Sequence, residues 1–579
     1  MTRSRHNIGS EIHKTRLAIV VGAVFIFGAF LTYRLADLQL FRGSQLQASA
    51  AKQHGTVRSI TAPRGKIFFG ESATSVLYPV AVNRVFYHTY IIPNEIENIN
   101  RVMQKLEPLG ESFGLDEEII RFRMSKVNDI YEPLAHKLTE EELNQFKDIN
   151  EPGIGWEEET WRFYPEESLL SHVTGFVGLA EEERVGQYGL EGFFEDELRG
   201  NNGLIEGKTD ISGRLIPTGS LSRKEPKVGV DLVLTIDRTL QTYACKKLAD
   251  QIKVVEAIGG TIIIVNPSTG AVMVMCSEPG FNPNTYNEVE DISVYLNPAI
   301  AVSYEPGSIF KPFTMAAALD AEAVTAQTTY VDEGVEEIGK YKIKNSDGKA
   351  HGEVDMVTVL NESLNTGAIF VQRELGKEQF VDYVEKFGFG RTTDIELGNE
   401  LSGNISSLYK RGDIFAATGS FGQGMTATPI QLVMAYAALA NGGKLMKPHI
   451  IKEKRRGDDI LEQTKPVFVD EAISVKASTI VSGMLVSVVQ GDHARSAGVD
   501  GYYIAGKTGT AQVAEAGEYG EETIHSFAGF GPVDQPVFAM IVKLDNPQIG
   551  FFSSATAAPL FGAIAEFMMQ YYGVPPDEI

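Results

Sequence analysis

The sequence predicts an α+β chain: one N-terminal transmembrane helix, a mixed middle region, then a larger C-terminal domain. Three observations carry that prediction. Leu17 to Tyr33 run without a charge. The composition shifts near Arg223-Lys224-Glu225-Pro226. Beyond that point come two opening strands, a mostly helical stretch, closing strands and a final helix.

Residues 1–16 are polar, carry Arg3, Arg5, Lys14 and Arg16, and read as a cytoplasmic tail. Residues 17–40 read as the membrane anchor. At about 1.5 Å per residue the uncharged run nearly crosses a hydrocarbon core, and Leu35, Leu38 and Leu40 continue its helical pattern outward. A cleaved signal peptide is the alternative. The run is longer than a usual apolar signal core, and the small-x-small triplet Ala48-Ser49-Ala50 lies too far downstream, which favours an uncleaved anchor. The basic flank precedes the span, so the N-terminus is expected in the cytoplasm and the remainder outside a single-pass inner-membrane helix.

Residues 41–225 alternate strand-like runs (Val80–Ile92) with acidic helical ones (Glu95–Lys105, Glu140–Ile149). Trp156 and Trp161 read as packing residues. In residues 226–579, Val230–Ile236 reads as a strand and Asp237 caps a helix to about Lys253. Gly260–Val265 and Ala271–Met275 flank a turn, Asn266 to Gly270, as a hairpin. Helices are expected at 308–320, 355–375, 378–387 and Pro429–Asn441, the last stopped by Gly442-Gly443. Tyr502–Ala505 and Phe527–Gly529 read as short strands, Val537–Leu544 as a strong one, and 556–572 as the closing helix.

The 579 residues are 43% hydrophobic and 22% charged, enough for a large core. A net charge of −24 argues against nucleic acid, whose phosphates need a basic surface. Cys245 and Cys276 are too few for a zinc site and no His cluster accompanies them, so neither metal nor cofactor is expected. Both read as small buried packing residues, with a disulfide as the less favoured option.

The chemistry points to Glu305–Thr314. Ser308 and Lys311 stand three apart, so on a helix hydroxyl and amine share a face. A serine needs a base to become a nucleophile, and an amine of lowered pKa can serve. Ser-x-x-Lys occurs four times, at Ser49–Lys52, Ser308–Lys311, Ser346–Lys349 and Ser407–Lys410. Alone, each is an ordinary surface pair. Ser308 stands out because Ser363-Leu364-Asn365 and then Lys507-Thr508-Gly509-Thr510, which holds the one Lys-Thr-Gly of the sequence, lie downstream of it in the right order and within matching flanks. That ordered set is shared by penicillin-binding proteins and serine β-lactamases.

Residues 226–579 resemble the transpeptidase domain of class B penicillin-binding proteins along their length. Tyr304 to Pro312, Ala350-His351-Gly352, Phe387 to Gly390, Phe421 to Gly424, Thr428 to Leu432, Ala437 to Gly443 and Ala505 to Gln512 all match family segments. Residues 41–225 resemble the family's elongated pedestal through Ala62 to Ile67, His172 to Gly178 and Gly189-Leu190-Glu191. Phe68 to Ser72 departs from the family's usual continuation of the Arg-Gly box, and Gly491 to Ser496 departs ahead of the third motif. The resemblance implies an antiparallel sheet with helices on its faces and an all-helical lobe. It implies that Ser308 attacks a stem peptide ending in D-Ala-D-Ala, with β-lactams as inhibitors. Lys311 would take the proton, Ser363 would relay it, Asn365 would hold Lys311 and the substrate amide, and Lys507 would supply positive charge. Thr508, Gly509 and Thr510 would bind the substrate carboxylate and backbone. Ser308 and Thr510 N–H groups would meet the oxyanion. Arg64 would pair with Glu191 in the pedestal, and His351 would be structural. The implied partner is a multi-span membrane glycosyltransferase. Chain length and the form of the third motif lean towards division over elongation. A hydrolytic carboxypeptidase or β-lactamase, and a non-enzymatic penicillin-binding scaffold, remain as alternatives.

Overall fold

The computed structural model describes residues 8–36, 55–70, 76–180, 183–208, 222–515 and 518–577. Leu38, Leu40, the Ser49–Lys52 pair and the Glu71-Ser72 end of the atypical pedestal segment lie outside the described residues. The chain divides into two compact units, one of Met1–Pro63 with Gly200–Val228, the other of Arg64–Arg199 with Gly229–Ile579.

The first unit holds the helix Ile8–Ala36, whose stretch Arg16–Ala36 has a mean hydropathy of 2.0. Its 21 residues extend about 31 Å, long and apolar enough to cross a membrane. Leu17, Phe25, Ile26 and Phe27 are exposed, as suits a helix facing lipid. Strands Gly55–Ile60, Gly203–Lys208 and Ser222–Lys224 form an antiparallel sheet in that order.

In the second unit, a seven-stranded sheet joins strands from its earlier and later parts in the sequence. Asp231–Leu234 pairs in parallel with Ile67–Phe69 and antiparallel with Ile451–Arg456. Tyr78–Ile91 continues the sheet and pairs with Glu132–Leu138 and Ile154–Phe163. The helices Ile99–Phe113 and Glu140–Lys147 bury Val102, Leu106 and Phe146 in a core of their own. The first starts later than expected, because Asn98 caps it by accepting from the Arg101 N–H at 3.1 Å. Trp161 lies between Lys137 and the Arg184 guanidinium, 4.3 and 3.5 Å from its ring centre, while Trp156 is half-exposed at 45%.

The larger sheet carries the site. Its frame, in chain order, is α1 (Arg238–Val255), β1 (Gly259–Val265), β2 (Val272–Glu278), α2 (Lys311–Asp320), α3 (Met356–Asn361), α4 (Asn365–Leu375), α5 (Pro429–Ala440), α6 (Val475–Gln490), β3 (Ala505–Glu515), β4 (Glu518–Gly531), β5 (Phe538–Asp545) and α7 (Ala557–Tyr572). The strands run β2-β1-β5-β4-β3, each antiparallel to its neighbours. Every residue of β1 is buried, so both faces of the sheet are covered. α1 and α7 pack on the sheet and on each other, with Tyr243 and Phe567 stacked at 3.9 Å. α5 packs across β1, β4 and β5.

Asp237 caps α1 as expected, accepting from Leu240 N–H at 3.0 Å. α5 ends where Gly442 and Gly443 take φ of 64° and 87°. Three expectations are corrected. The helix expected over 355–375 is two helices, α3 and α4, broken at Ser363, whose φ is 55°. Of the short strand expected at 502–505 only Ala505 is in a strand, as the first residue of β3, while 527–529 lie inside β4, and β3 and β4 form one long hairpin. Cys245 and Cys276 form a disulfide, because α1 packs along β2 and brings their Cα atoms to 5.7 Å.

Candidate active site

The site starts from a glycine-built turn ahead of α2. Tyr304 pairs with Ala427, which fixes where the turn begins. Gly307 has φ of 59° and donates its N–H to Gly422 O at 3.1 Å. A Cβ on Gly422 would stand 2.4 Å from Gly307 O, so only glycine admits that approach. The chain then makes a 3₁₀ turn, Gly307–Phe310, and enters α2 at Lys311, with Pro312 in its first turn. Ser308 therefore sits on the turn, half-buried, and not within the α-helix itself.

β3 is the edge strand of the sheet and runs past this turn. A Cβ on Gly509 would meet Ile309 Cγ2 at 2.8 Å and Pro306 O at 3.2 Å. The glycine of Lys507-Thr508-Gly509-Thr510 thus lets the strand lie against the nucleophile turn. Lys507 and Lys311 are each 1% exposed.

Lys311 Nζ donates to the Ser363 carbonyl and, at 3.2 Å, to Ser363 Oγ. No hydrogen bond joins it to Ser308 among the described residues, so the amine faces the second motif. Burial, then repulsion from Lys507, holds the Lys311 amine well below the ordinary lysine range. Burial brings Lys507 down to about 7. Lys507 Nζ reaches Thr508 O and Oγ1 at 3.4 Å each.

The expected residues fall into two groups. Ser363, Lys311 and Lys507 converge. Asn365 does not bond Lys311: its side-chain amide donates to Lys344 O at 2.8 Å, because the helix break turns α4's first residue towards the hairpin of Val335–Ile338 and Tyr341–Lys344. His351 is tied to Asp347 at 3.0 Å inside a turn. Thr510 is engaged by a group that the motif reading missed. Its hydroxyl lies 3.3 Å from Ser553 Oγ and accepts the Ser553 N–H at 3.2 Å. Buried His525, opposite Thr510 across the sheet, contacts Thr556 at 2.9 Å and continues that cluster. Phe551 and Phe552, just before Ser553, are 93% and 60% exposed beside the strand. Single serines, threonines and aromatics carry no spacing signal, so only the fold assembles them.

The geometry suits acyl transfer by a serine. A serine hydroxyl stands on a closely packed glycine-built turn, a buried amine of lowered pKa bonds a second hydroxyl, and a strand edge has backbone to offer a peptide. Two family models match the chain, the penicillin binding protein transpeptidase domain over residues 260–566 and the penicillin-binding protein dimerisation domain over 59–234. Stage V sporulation protein D of Bacillus subtilis is 32% identical, covering 98% of this chain and 87% of its own length. Peptidoglycan D,D-transpeptidase FtsI of Escherichia coli is 28% identical over 97% of this chain and 93% of its own. Among solved structures, penicillin binding protein 2X of Streptococcus thermophilus superposes with a TM-score of 0.72 at 21% identity, covering 89% of this chain and 80% of its own.

Proposed function

The chain belongs to the penicillin-binding protein family as a class B peptidoglycan D,D-transpeptidase, and on that premise we propose which of its residues do the chemistry. Ser308 Oγ attacks the carbonyl between the two terminal D-alanines of a stem peptide. The neutral Lys311 amine takes the hydroxyl proton, and Ser363 passes it to the departing D-alanine, so an ester forms as the amide breaks. Charged Lys507, with Thr508 and Thr510, receives the terminal carboxylate, and Gly509 leaves room for the substrate backbone. The N–H groups of Ser308 and Thr510 meet the oxyanion, and such a donor is worth about 3–4 kcal/mol in the transition state. Asn365 lines the substrate side of the site rather than steadying Lys311. An amine of a neighbouring stem peptide then resolves the ester.

The observation that carries this reading is the buried Lys311 amine bonded to Ser363 on one side and repelled by Lys507 on the other. It supports a neutral base at neutral pH. Residues 41–225 serve as the pedestal and 226–579 as the catalytic domain, in keeping with the two matched ranges. The glycan is polymerised by a partner, a multi-span membrane glycosyltransferase, and the work is septal.

The test is to incubate the enzyme with a labelled penicillin, map the adduct by mass spectrometry and follow its decay. The expected adduct is on Ser308, absent in Ser308→Ala, lasting many minutes and released faster by an added amine. An adduct on Ser346 or Ser407 overturns the site. Release of penicilloic acid within seconds overturns transpeptidation in favour of hydrolysis.

A further inference from the structure

We infer that Asn345 is a positioning residue for acyl transfer, acting as a helix cap supplied from elsewhere in the chain that holds Ser363 where it meets Lys311. The inference rests on the assignment of Ser363 as the proton relay.

α4 begins directly after the Ser363 break, and its N-cap, Leu364, has no side chain able to bond the first N–H groups. Leucine is among the poorest residues at that position. Asn345, twenty residues upstream, takes over the task. Its Oδ1 accepts Asn365 N–H at 2.9 Å, Thr366 N–H at 3.3 Å and lies 3.0 Å from Thr366 Oγ1. Its Nδ2 donates to Asp332 Oδ2 at 2.9 Å and to Lys349 O at 3.3 Å. The adjacent Lys344 carbonyl holds the Asn365 side chain at 2.8 Å. Asp332 also accepts from Gly334 N–H, His351 N–H and Thr366 Oγ1 at 3.0, 2.9 and 2.7 Å. Asp332, Asn345 and Thr366 are 1%, 4% and 5% exposed. A closed, buried set of this kind is rigid because each member's partners are fixed by the others.

Rigidity here has a purpose visible in the backbone. Ser363 is in the left-handed region, which a non-glycine residue does not hold without support. On its N-terminal side, Ser363 N–H reaches Leu360 O at 3.3 Å, which ends α3. On its C-terminal side the support is the Asn345 clamp. Between the two, the Ser363 carbonyl and hydroxyl both face Lys311 Nζ. A slackened α4 start lets Ser363 relax towards an ordinary backbone conformation and carries its hydroxyl off the amine.

The test measures the penicillin dissociation constant and the acylation rate constant separately, by stopped-flow, in the full-length protein. Asn345 is buried and its side chain is bonded within the chain, so Asn345→Ala should leave the dissociation constant unchanged and slow acylation by about 10- to 100-fold, the scale of a small misplacement of a reacting group. Asn345→Asp keeps an oxygen for the helix N–H groups but sets a carboxylate against Asp332, and should fall between wild type and alanine. It also provides the reading if the alanine variant does not melt cooperatively. Lys342→Ala, on the same hairpin with its side chain 67% exposed, should match wild type in both constants. Wild-type acylation in a folded Asn345 variant, or a loss carried by the dissociation constant, overturns the inference. If instead Ser363→Ala acylates at the wild-type rate, the relay assignment fails.

Discussion

At the residue scale, the proposed mechanism asks two buried lysines to hold different charge states. In it, Lys311 acts as the base only when neutral, whereas Lys507 receives a carboxylate only when charged. Burial lowers both, and their mutual repulsion lowers Lys311 further. Acylation should therefore follow a bell-shaped pH profile. Its acid limb is protonation of Lys311, and its alkaline limb is loss of the Lys507 proton, whose pKa stands near 7 before substrate binds. Arginine keeps its charge throughout. Lys507→Arg should thus move the alkaline limb upward by more than about one pH unit while the acid limb stays, whatever the loss in absolute rate. The profile of the second-order acylation constant between about pH 5 and 10 measures this. An alkaline limb that does not move in Lys507→Arg would assign it to another group.

At the element scale, what was legible in the sequence depends on range. The capped helix after Asp237, the hairpin around Asn266 and the stop at Gly442-Gly443 are local devices and stand as read. The break at Ser363 was not legible, because the apolar spacing of 356–375 stays helical through it while Lys311 and Asn345, distant in sequence, bond the chain at the break. The Cys245–Cys276 pairing depends on how α1 lies on β2, a tertiary fact. In the site, the three motifs were readable from order alone, whereas Ser553, His525 and Asn345 were not. The pedestal pair Arg64–Glu191 was readable by resemblance, but the structure enlarges it. Glu191, fully buried, accepts from Arg64 Nε and Arg162 Nε at 2.6 Å each, while Arg64 also meets Glu195 at 2.7 Å. Burial raises the Glu191 pKa, but Arg162 and Arg64 outweigh it and hold the carboxylate below its ordinary value. Its contribution is accordingly complete above about pH 4.3 and lost as pH falls below that. Glu191→Ala leaves two buried guanidinium groups short of a partner and should cost about 3–5 kcal/mol. Arg64→Ala should cost less, since Arg162 remains. Pulse proteolysis in urea reads both, and Ser308 acylation in native buffer should be unaffected. Single-mutant losses that simply add in the double mutant would show that the two residues are not coupled.

At the scale of the whole molecule, one helix and one covalent bond bear on the same question of topology. The stretch Arg16–Ala36 is long enough to cross a membrane, and Arg3, Arg5, Lys14 and Arg16 precede its uncharged run. In the proposed topology these basic residues stay on the cytoplasmic side and the remainder lies outside. A Cys245–Cys276 disulfide is favoured in an oxidising compartment, which supports that proposed topology. The whole chain's formal charge of −24 disfavours adhesion to anionic lipid. A fluorescent protein fused ahead of Met1 should therefore fold in the cytoplasm and report where the enzyme works. In dividing cells the signal should gather at midcell. In protease-treated spheroplasts the fluorescence should survive while penicillin labelling of the catalytic unit is lost. Signal spread evenly along the lateral wall would replace the septal role with elongation, and labelling that survives protease would reverse the topology.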